Sequence, residues 1–517
     1  MFPNTAFVDQ LQSALNRDFL AFLPELIVCG TIVLLLLARL VTPLRRIHSN
    51  TVAIAGAAAA CGVAIAQWLQ ADPFPAGRHA MFTGLLVYDP LTIYMRILLL
   101  SFVVLLLILT RITGIPDRED AADFNVLILG ATLGMMMMAS ANHLLMAFIA
   151  IEMASVPSYV LAGFLKGRRQ GSEAALKYVV YGASASGIML YGISLLAGRF
   201  GTGYLPDLAA GFQAAVEAGG FDAVLTAGSL FIIVGLAFKL SAVPFHFWCP
   251  DVFEGAAAEV GAFLSVASKG AAFALAIRFL NALAGPETSQ SAIMFAGSLG
   301  LLLAVIAGIT ATFGNLAALG QTNLKRLLAY STIAHAGYML MALVPLTQAG
   351  DSAVLFYLAA YLFTNLGAFA CVALLRNRTG SENLADMAGM VQREPAIVVA
   401  LVICLLSLLG LPPLAGFAAK FQVFAVLYDA GRHASNLPIL QYAYFGLLAL
   451  AAINTVISAG YYLKVLRVMV LDTPDDVEPT GRSSRAGAVF VVFVAGVVIA
   501  LGILWNPLAE ACRQAAG

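Results

Sequence analysis

Apolar runs of about twenty residues, separated by short polar punctuation, follow one another along this chain. A run of that length crosses the ~30 Å hydrocarbon core of a bilayer as one helix. The pattern predicts an all-α polytopic membrane protein with fourteen transmembrane spans: 20–40, 51–70, 88–110, 122–140, 142–165, 174–198, 222–248, 256–283, 291–312, 324–346, 351–375, 395–428, 439–466 and 486–507. The stretches between them are short, and 199–221 and 473–485 read as loops.

Two spans are interrupted. The seventh breaks at Ala242-Val243-Pro244, where proline removes a backbone donor and disfavours helix at the residue before it. The twelfth breaks over Gly410-Leu411-Pro412-Pro413-Leu414-Ala415-Gly416. The two breaks lie five spans apart. That odd offset turns the units around them in opposite directions through the bilayer, the signature of an inverted repeat. The predicted division is an N-terminal three-helix segment 1–120, inverted five-helix units 121–285 (spans 4–8) and 286–470 (spans 9–13), and a C-terminal segment 471–517.

Composition agrees with this reading. Of 517 residues 61% are hydrophobic and 11% charged, with mean hydropathy +0.91, against roughly 25% charged in soluble domains. Lys+Arg and Asp+Glu both number 28, which offers no net field for nucleic acid or an acidic partner. Six scattered cysteines without CxxC spacing give no disulfide, zinc or iron–sulfur pattern, and neither GxGxxG nor GxxxxGK[ST] is present. The opening MFPNTAFVDQLQSALNRDF lacks a basic region, so the first span is expected to serve as its own insertion signal. With both termini outward, 17 Lys and Arg fall on the inward side, among them Arg39, Arg45, Arg46, Arg118, Lys166, Arg168, Lys325, Arg326 and Arg482, and 6 on the outward side. That asymmetry is the positive-inside bias.

Glu152, Lys239, Lys269 and Lys420 stand inside spans. A charge at mid-bilayer costs roughly 3 kcal/mol on insertion scales, so the four together cost about 12 kcal/mol, comparable with a whole protein's stability of about 5–15 kcal/mol. Such groups persist where they pair, reach water or work. A buried lysine exchanges its proton, whereas an arginine stays charged, so the group reads as a proton relay. For Lys239, at the first break, the competing reading is a structural ion pair with Glu152. Glu152 lies in HLLMAFIAIEMASVPSYVLAGF, where a helix-packing hydrogen bond competes. Lys269 lies among small residues in FLSVASKGAAFALAI, against snorkelling. Lys420 follows the second break, against a lysine that caps the broken half-helix. Lys177 opens span six near the inward interface, where snorkelling also competes. His246 follows Pro244, against a buried histidine satisfied by backbone. His335, in LLAYSTIAHAGYML, shares a helical face with Ser331 and Tyr338 and is placed to bridge the two breaks.

Five stretches carry a resemblance: EMASVPSYVLAGF from Glu152, KYVVYGASASGIMLYGISLL from Lys177, FKLSAVPFHFWCPDVFEG from Phe238, GQTNLKRLLAYSTIAHAGYML from Gly320 and GLPPLAGFAAKFQVF from Gly410. Over nearly its whole length the chain closely resembles the subunit N family of bacterial NADH:quinone oxidoreductase, respiratory complex I, a group of antiporter-like membrane subunits. The resemblance implies a fourteen-helix fold with two inverted five-helix units. It implies proton-channel roles for Glu152, Lys177, Lys239, His246, Lys269 and Lys420. It implies a proton-translocating subunit of an enzyme that oxidises NADH and reduces quinone in other subunits. NADH, flavin, iron–sulfur clusters and quinone are then expected elsewhere in the complex, with no cofactor or metal bound by this chain. The implied partners are the other membrane and peripheral subunits and the lipid bilayer, without nucleic acid. The implied location is the bacterial inner membrane with both termini periplasmic. The alternative is a subunit of a multi-subunit cation/proton antiporter of the same superfamily. A purely structural membrane subunit is a third reading, and predicts that Lys239, Lys269 and Lys420 tolerate neutral replacement. One stretch departs from the family. Where its members usually read GAPTPV, this chain reads Gly255-Ala256-Ala257-Ala258-Glu259-Val260. Loss of the prolines predicts a longer local helix, and Glu259 adds an acid.

Overall fold

The computed structural model describes residues 5–40, 48–70, 78–117, 120–165, 169–285, 290–473 and 484–517. Arg45, Arg46, Arg118, Lys166, Arg168, Arg482, the side chain of Arg39 and most of the predicted 473–485 connector lie outside the described residues. Helix α1 (Thr5–Ala21) meets α2 (Leu23–Leu40) at a bend of 72°. There follow α3 (Ser49–Leu69), a hairpin of β1 (His79–Met81) and β2 (Leu86–Tyr88), α4 (Pro90–Thr113), α5 (Ala121–Ser140), α6 (Leu144–Ala162), α7 (Arg169–Phe200) and α8 (Leu205–Glu217). Next come α9 (Ala223–Leu240), α10 (Trp248–Gly255) and α11 (Ala258–Phe263), which runs through a π-turn at Leu264–Ser268 into α12 (Lys269–Ala284). The chain continues as α13 (Gln290–Leu319), α14 (Leu324–Leu343), α15 (Gln348–Thr379), α16 (Pro395–Leu409), α17 (Ala415–His433), α18 (Pro438–Val470), α19 (Arg485–Ile503) and α20 (Asn506–Ala516).

All fourteen predicted spans are helical. Among the described residues eleven helices are long and apolar enough to cross a membrane, or up to 13 if each of two bent pairs counts as one span. α14 is 20 residues long but more polar, with Lys325, Arg326 and His335 within it. The stretch α11–π–α12 and α15 are the buried centre of the bundle, while α3, α7, α18 and α19 turn wide apolar faces outward. Small residues let the helices close up, as expected without a hydrophobic drive between helices in lipid. A Cβ on Gly134 would lie 2.6 Å from the Ala154 nitrogen across α5 and α6, and one on Gly314 2.6 Å from the Ala334 nitrogen across α13 and α14.

Four features differ from expectation. The predicted loop 199–221 contains α8, whose Leu205, Leu208, Phe212 and Val216 form a buried face beneath a polar one. α20 follows the last span and packs on α4 and α15. The helix predicted to lengthen at 255–260 does not: α10 stops at Gly255, Ala256 and Ala257 are extended (ψ 166° and 150°), and α11 starts afresh at Ala258. Tertiary packing holds this break without proline. The Lys325 ammonium donates to the Ala256 carbonyl at 2.6 Å, and a Cβ on Gly255 would press on Ala174 of α7. Lys325 itself, expected in an aqueous loop, is 1% exposed and paired with Glu382 at 2.9 Å. Arg96 of α4 forms a fully buried pair with Glu25 of α2 at 2.7 Å.

Candidate functional site

The first break places a lysine at the end of a half-helix. α9 ends one residue after Lys239, at Leu240, and Ser241 adopts a left-handed φ of 56°. The Ala242 N–H donates back to the Ala237 carbonyl at 2.8 Å, so a six-residue wrap closes the C-terminus. The Trp248 indole donates to the Phe238 carbonyl at 3.1 Å, and Val243 N–H donates to Thr310 Oγ1 on α13 at 3.0 Å. These partners satisfy the backbone groups that a helix end strands in apolar surroundings. Lys239 Nζ, 2% exposed, has no hydrogen-bond partner. Glu152 on α6 lies within electrostatic reach of it, yet its carboxylate accepts a short hydrogen bond from Ser186 of α7 instead. The Glu152–Lys239 ion pair that competes with the relay reading is therefore open in this structure. His246 sits buried in the same break, its ring 4.4 Å from those of Phe247 and Phe313, with Nδ1 unpartnered.

The second break is built differently. α16 ends at Leu409 and Gly410 takes φ 95°, a conformation glycine adopts without strain. Ser407 Oγ accepts from the Gly416 N–H at 3.0 Å, capping the start of α17 from the other half. Lys420 on α17 reaches back and donates to the Leu409 carbonyl at 3.0 Å, with its ammonium 4.6 Å from the centroid of the Tyr338 ring. It thus does cap the broken half-helix, at the negative end of the α16 dipole, and adds a cation–π contact.

Between the breaks lies a polar bridge. Lys269 opens α12 directly after the π-turn, and its Nζ donates to the Thr332 carbonyl of α14 at 3.4 Å. The hydroxyl of Thr332 accepts from Tyr361 of α15 at 3.0 Å. One turn along α14, His335 shares hydrogen bonds through Nδ1 with the Tyr357 hydroxyl (2.7 Å) and through Nε2 with the Tyr462 hydroxyl of α18 (3.2 Å). Tyr462 also meets Ser331 Oγ at 2.5 Å. His335 lies within electrostatic reach of both Lys269 and Lys420. The arrangement is a buried line from Lys269 through imidazole and hydroxyl groups towards Tyr338 and Lys420. Its imidazole and hydroxyl groups can each donate and accept a hydrogen bond.

Lys177 stands apart from this line. Its ammonium pairs with Asp251 of α10 at 2.6 Å and with Glu173 at 2.8 Å, and Arg326 of α14 joins Asp251 and Glu254 at 2.7 Å each. This half-exposed network ties α7, α10 and α14 together. Tyr357, Tyr361, Tyr462, Thr332 and Ser186 were not singled out from sequence. Tyr357 and Tyr361, four apart in an otherwise apolar run, were the available signal. Among the described residues there is no cluster of three or more metal-binding side chains.

The family model described as NADH:quinone oxidoreductase/Mrp antiporter, TM matches residues 141–439, which hold both breaks and every lysine named above. NADH-quinone oxidoreductase subunit N of Anaeromyxobacter sp. is 41% identical over 505 residues, covering 95% of each chain. A chain of respiratory complex I from Thermus thermophilus superposes with a TM-score of 0.75 at 31% identity, covering 94% of this chain and 98% of that one. A chain of the Mrp complex from Dietzia sp. superposes with a TM-score of 0.80 at 20% identity, covering 96% of each, a likeness of fold. With the broken helices and buried lysines in place, the chain belongs to the NADH:quinone oxidoreductase/Mrp antiporter family of membrane proteins, in its subunit N group.

Proposed function

We propose that this chain is the proton-translocating, antiporter-like subunit of an NADH:quinone oxidoreductase. The observation that carries the reading is the buried line of Lys239, Lys269 and Lys420, set at two helix breaks and a π-turn and bridged by His335 and its tyrosines. Free energy released by NADH oxidation and quinone reduction in other subunits moves Glu152 between Ser186 and Lys239. Paired, the ammonium is held; released, its proton passes by water towards Lys269. From Lys269 it crosses the Thr332–Tyr361 and His335–Tyr462 hydrogen bonds to Lys420, which leaves the Leu409 carbonyl to hand it on. His246 borders the Lys239–Lys269 gap, and Lys177 sets the position of α10 through Asp251. NADH, flavin, iron–sulfur clusters and quinone belong to the partner subunits, and this chain carries no redox site of its own.

The reading places the chain in the bacterial inner membrane with both termini periplasmic, which the 17-to-6 asymmetry of basic residues supports. It divides the chain at 120, 285 and 470 into the predicted segments, and the matching glycine contacts across α5–α6 and α13–α14 support two like units. The 41% identity to an oxidoreductase subunit N, against 20% to the Mrp chain, favours the oxidoreductase over the cation/proton antiporter. The test is Lys239→Ala in the assembled complex: NADH-driven proton pumping is expected to be lost. Normal pumping with coupled NADH oxidation discards the role.

A further inference from the structure

Glu259 is a buried acid that the relay above does not use. It lies in the first turn of α11, 0% exposed, and neither carboxylate oxygen has a hydrogen-bond partner. It sits against the Thr113 end of α4, within electrostatic reach of Lys325 and Arg376. Those two cations also share Glu382, at 2.9 and 3.3 Å. This end of the bundle carries the predicted inward charges.

Lys269 follows Glu259 by ten residues on one near-continuous helical rod, about 15 Å along its axis. Polar groups divide that distance. In the π-turn, Ser265 Oγ accepts from Asn365 Nδ2 of α15 at 2.5 Å, and Asn365 Oδ1 is buried without a partner. A π-turn also loosens the regular backbone ladder, a common device at functional sites. On α15, Arg376, Phe369, Asn365 and Tyr361 recur at intervals of seven, four and four, so they line one face. Phe369 stands between the Glu259 level and Asn365. Its ring is 5.8 Å from that of Phe253, and a Cβ on Gly261 would approach it to 2.9 Å. The order along the rod is thus acid, aromatic barrier, amide–hydroxyl pair, lysine.

We infer that Glu259 is the proton-loading acid of an inward half-channel that feeds Lys269 past Phe369 and the Asn365–Ser265 pair. The inference rests on the proton-translocation reading. A proton from the inward water converts the Glu259 carboxylate to the acid. Once Lys269 has passed the proton it held towards His335, opening of the Phe369 barrier lets the acid give its own, through water and the Asn365–Ser265 pair, to the neutral amine, a second inlet beside that from Lys239. Glu259 returns to the carboxylate and Lys269 becomes ammonium. The competing role is a fixed counter-ion for Lys325 and Arg376, which predicts an effect on assembly and none on proton movement.

The test uses Glu259→Gln, Glu259→Asp and Lys239→Ala in the complete complex reconstituted in vesicles. Proton pumping and NADH oxidation are measured together, with infrared difference spectra on NADH addition. The expected result is an assembled E259Q complex with less proton moved per NADH oxidised, recovery in E259D, and loss of a carboxyl carbonyl band in E259Q. Wild-type pumping in E259Q with loss in K239A overturns this inference alone. Wild-type pumping in both overturns the proton-path reading itself. Should E259Q fail to assemble, E259D decides: a shifted carboxyl band supports the loading role, and an unshifted one removes it.

Discussion

The two broken spans hold their lysines in opposite ways. At the first break Lys239 stands on the half-helix that precedes the interruption, and its ammonium touches no acceptor. At the second, Lys420 stands on the half-helix that follows, docked on the Leu409 carbonyl and the Tyr338 ring. The backbone is handled differently too. Both half-helices end in a six-residue wrap, but Thr310 of α13, outside the span, helps Trp248 close the first break, whereas Gly410 and Ser407 close the second from within. The contrast separates two uses of one device. An ammonium without a bond is poised to move, and a docked one has a defined resting place to leave.

Neutral replacement tests this contrast most strongly. Lys420→Met strands the Leu409 carbonyl and is expected to cost about 1–3 kcal/mol, read as a lower unfolding midpoint of the full chain in detergent. Lys239→Met removes an unsatisfied charge from apolar surroundings, so its midpoint is expected to stay level or rise. Equal losses in the two would erase the distinction. Next in size, Gly410→Ala forces a side chain into the left-handed region, at about 1–2 kcal/mol. It also sets a Cβ 3.0 Å from Lys420 Cδ, so the same unfolding assay should fall and proton pumping should weaken with it. Thr310→Val takes the acceptor from the Val243 N–H; about 1 kcal/mol is expected from the lost bond, and faster hydrogen exchange at Val243 reports it. Smallest is Ser241→Gly. It relieves a left-handed φ of 56° at the first break, against the entropy a glycine loses, for a net gain of roughly a few tenths of a kcal/mol. A clear loss there would show that the first break depends on its serine.

Hydropathy made the spans legible, and proline and glycine made both breaks legible, because each acts through local backbone chemistry. Lysines in apolar runs stood out because their cost does not depend on knowing the partner. The partners themselves were hidden. Whether Glu152 meets Lys239 or Ser186 is decided by how α6, α7 and α9 pack, and Ser186, one hydroxyl in a run of small residues, carried no signal of its own. The π-turn at Leu264–Ser268 uses residues with no special preference for it, so no local signal marks it. The break before Ala258 survives without proline because Lys325 and Ala174 hold it from other helices. α8 was missed because its longest apolar run, Leu208–Phe212, is far short of a membrane span.

The Glu25–Arg96 contact bears on how the protein is made. One member lies on α2 and the other on α4, with neither side chain exposed. Delivered singly to lipid, each would carry an unmatched charge at roughly 3 kcal/mol. The contact therefore favours joint over separate entry of α2 and α4 into lipid, as a neutral unit.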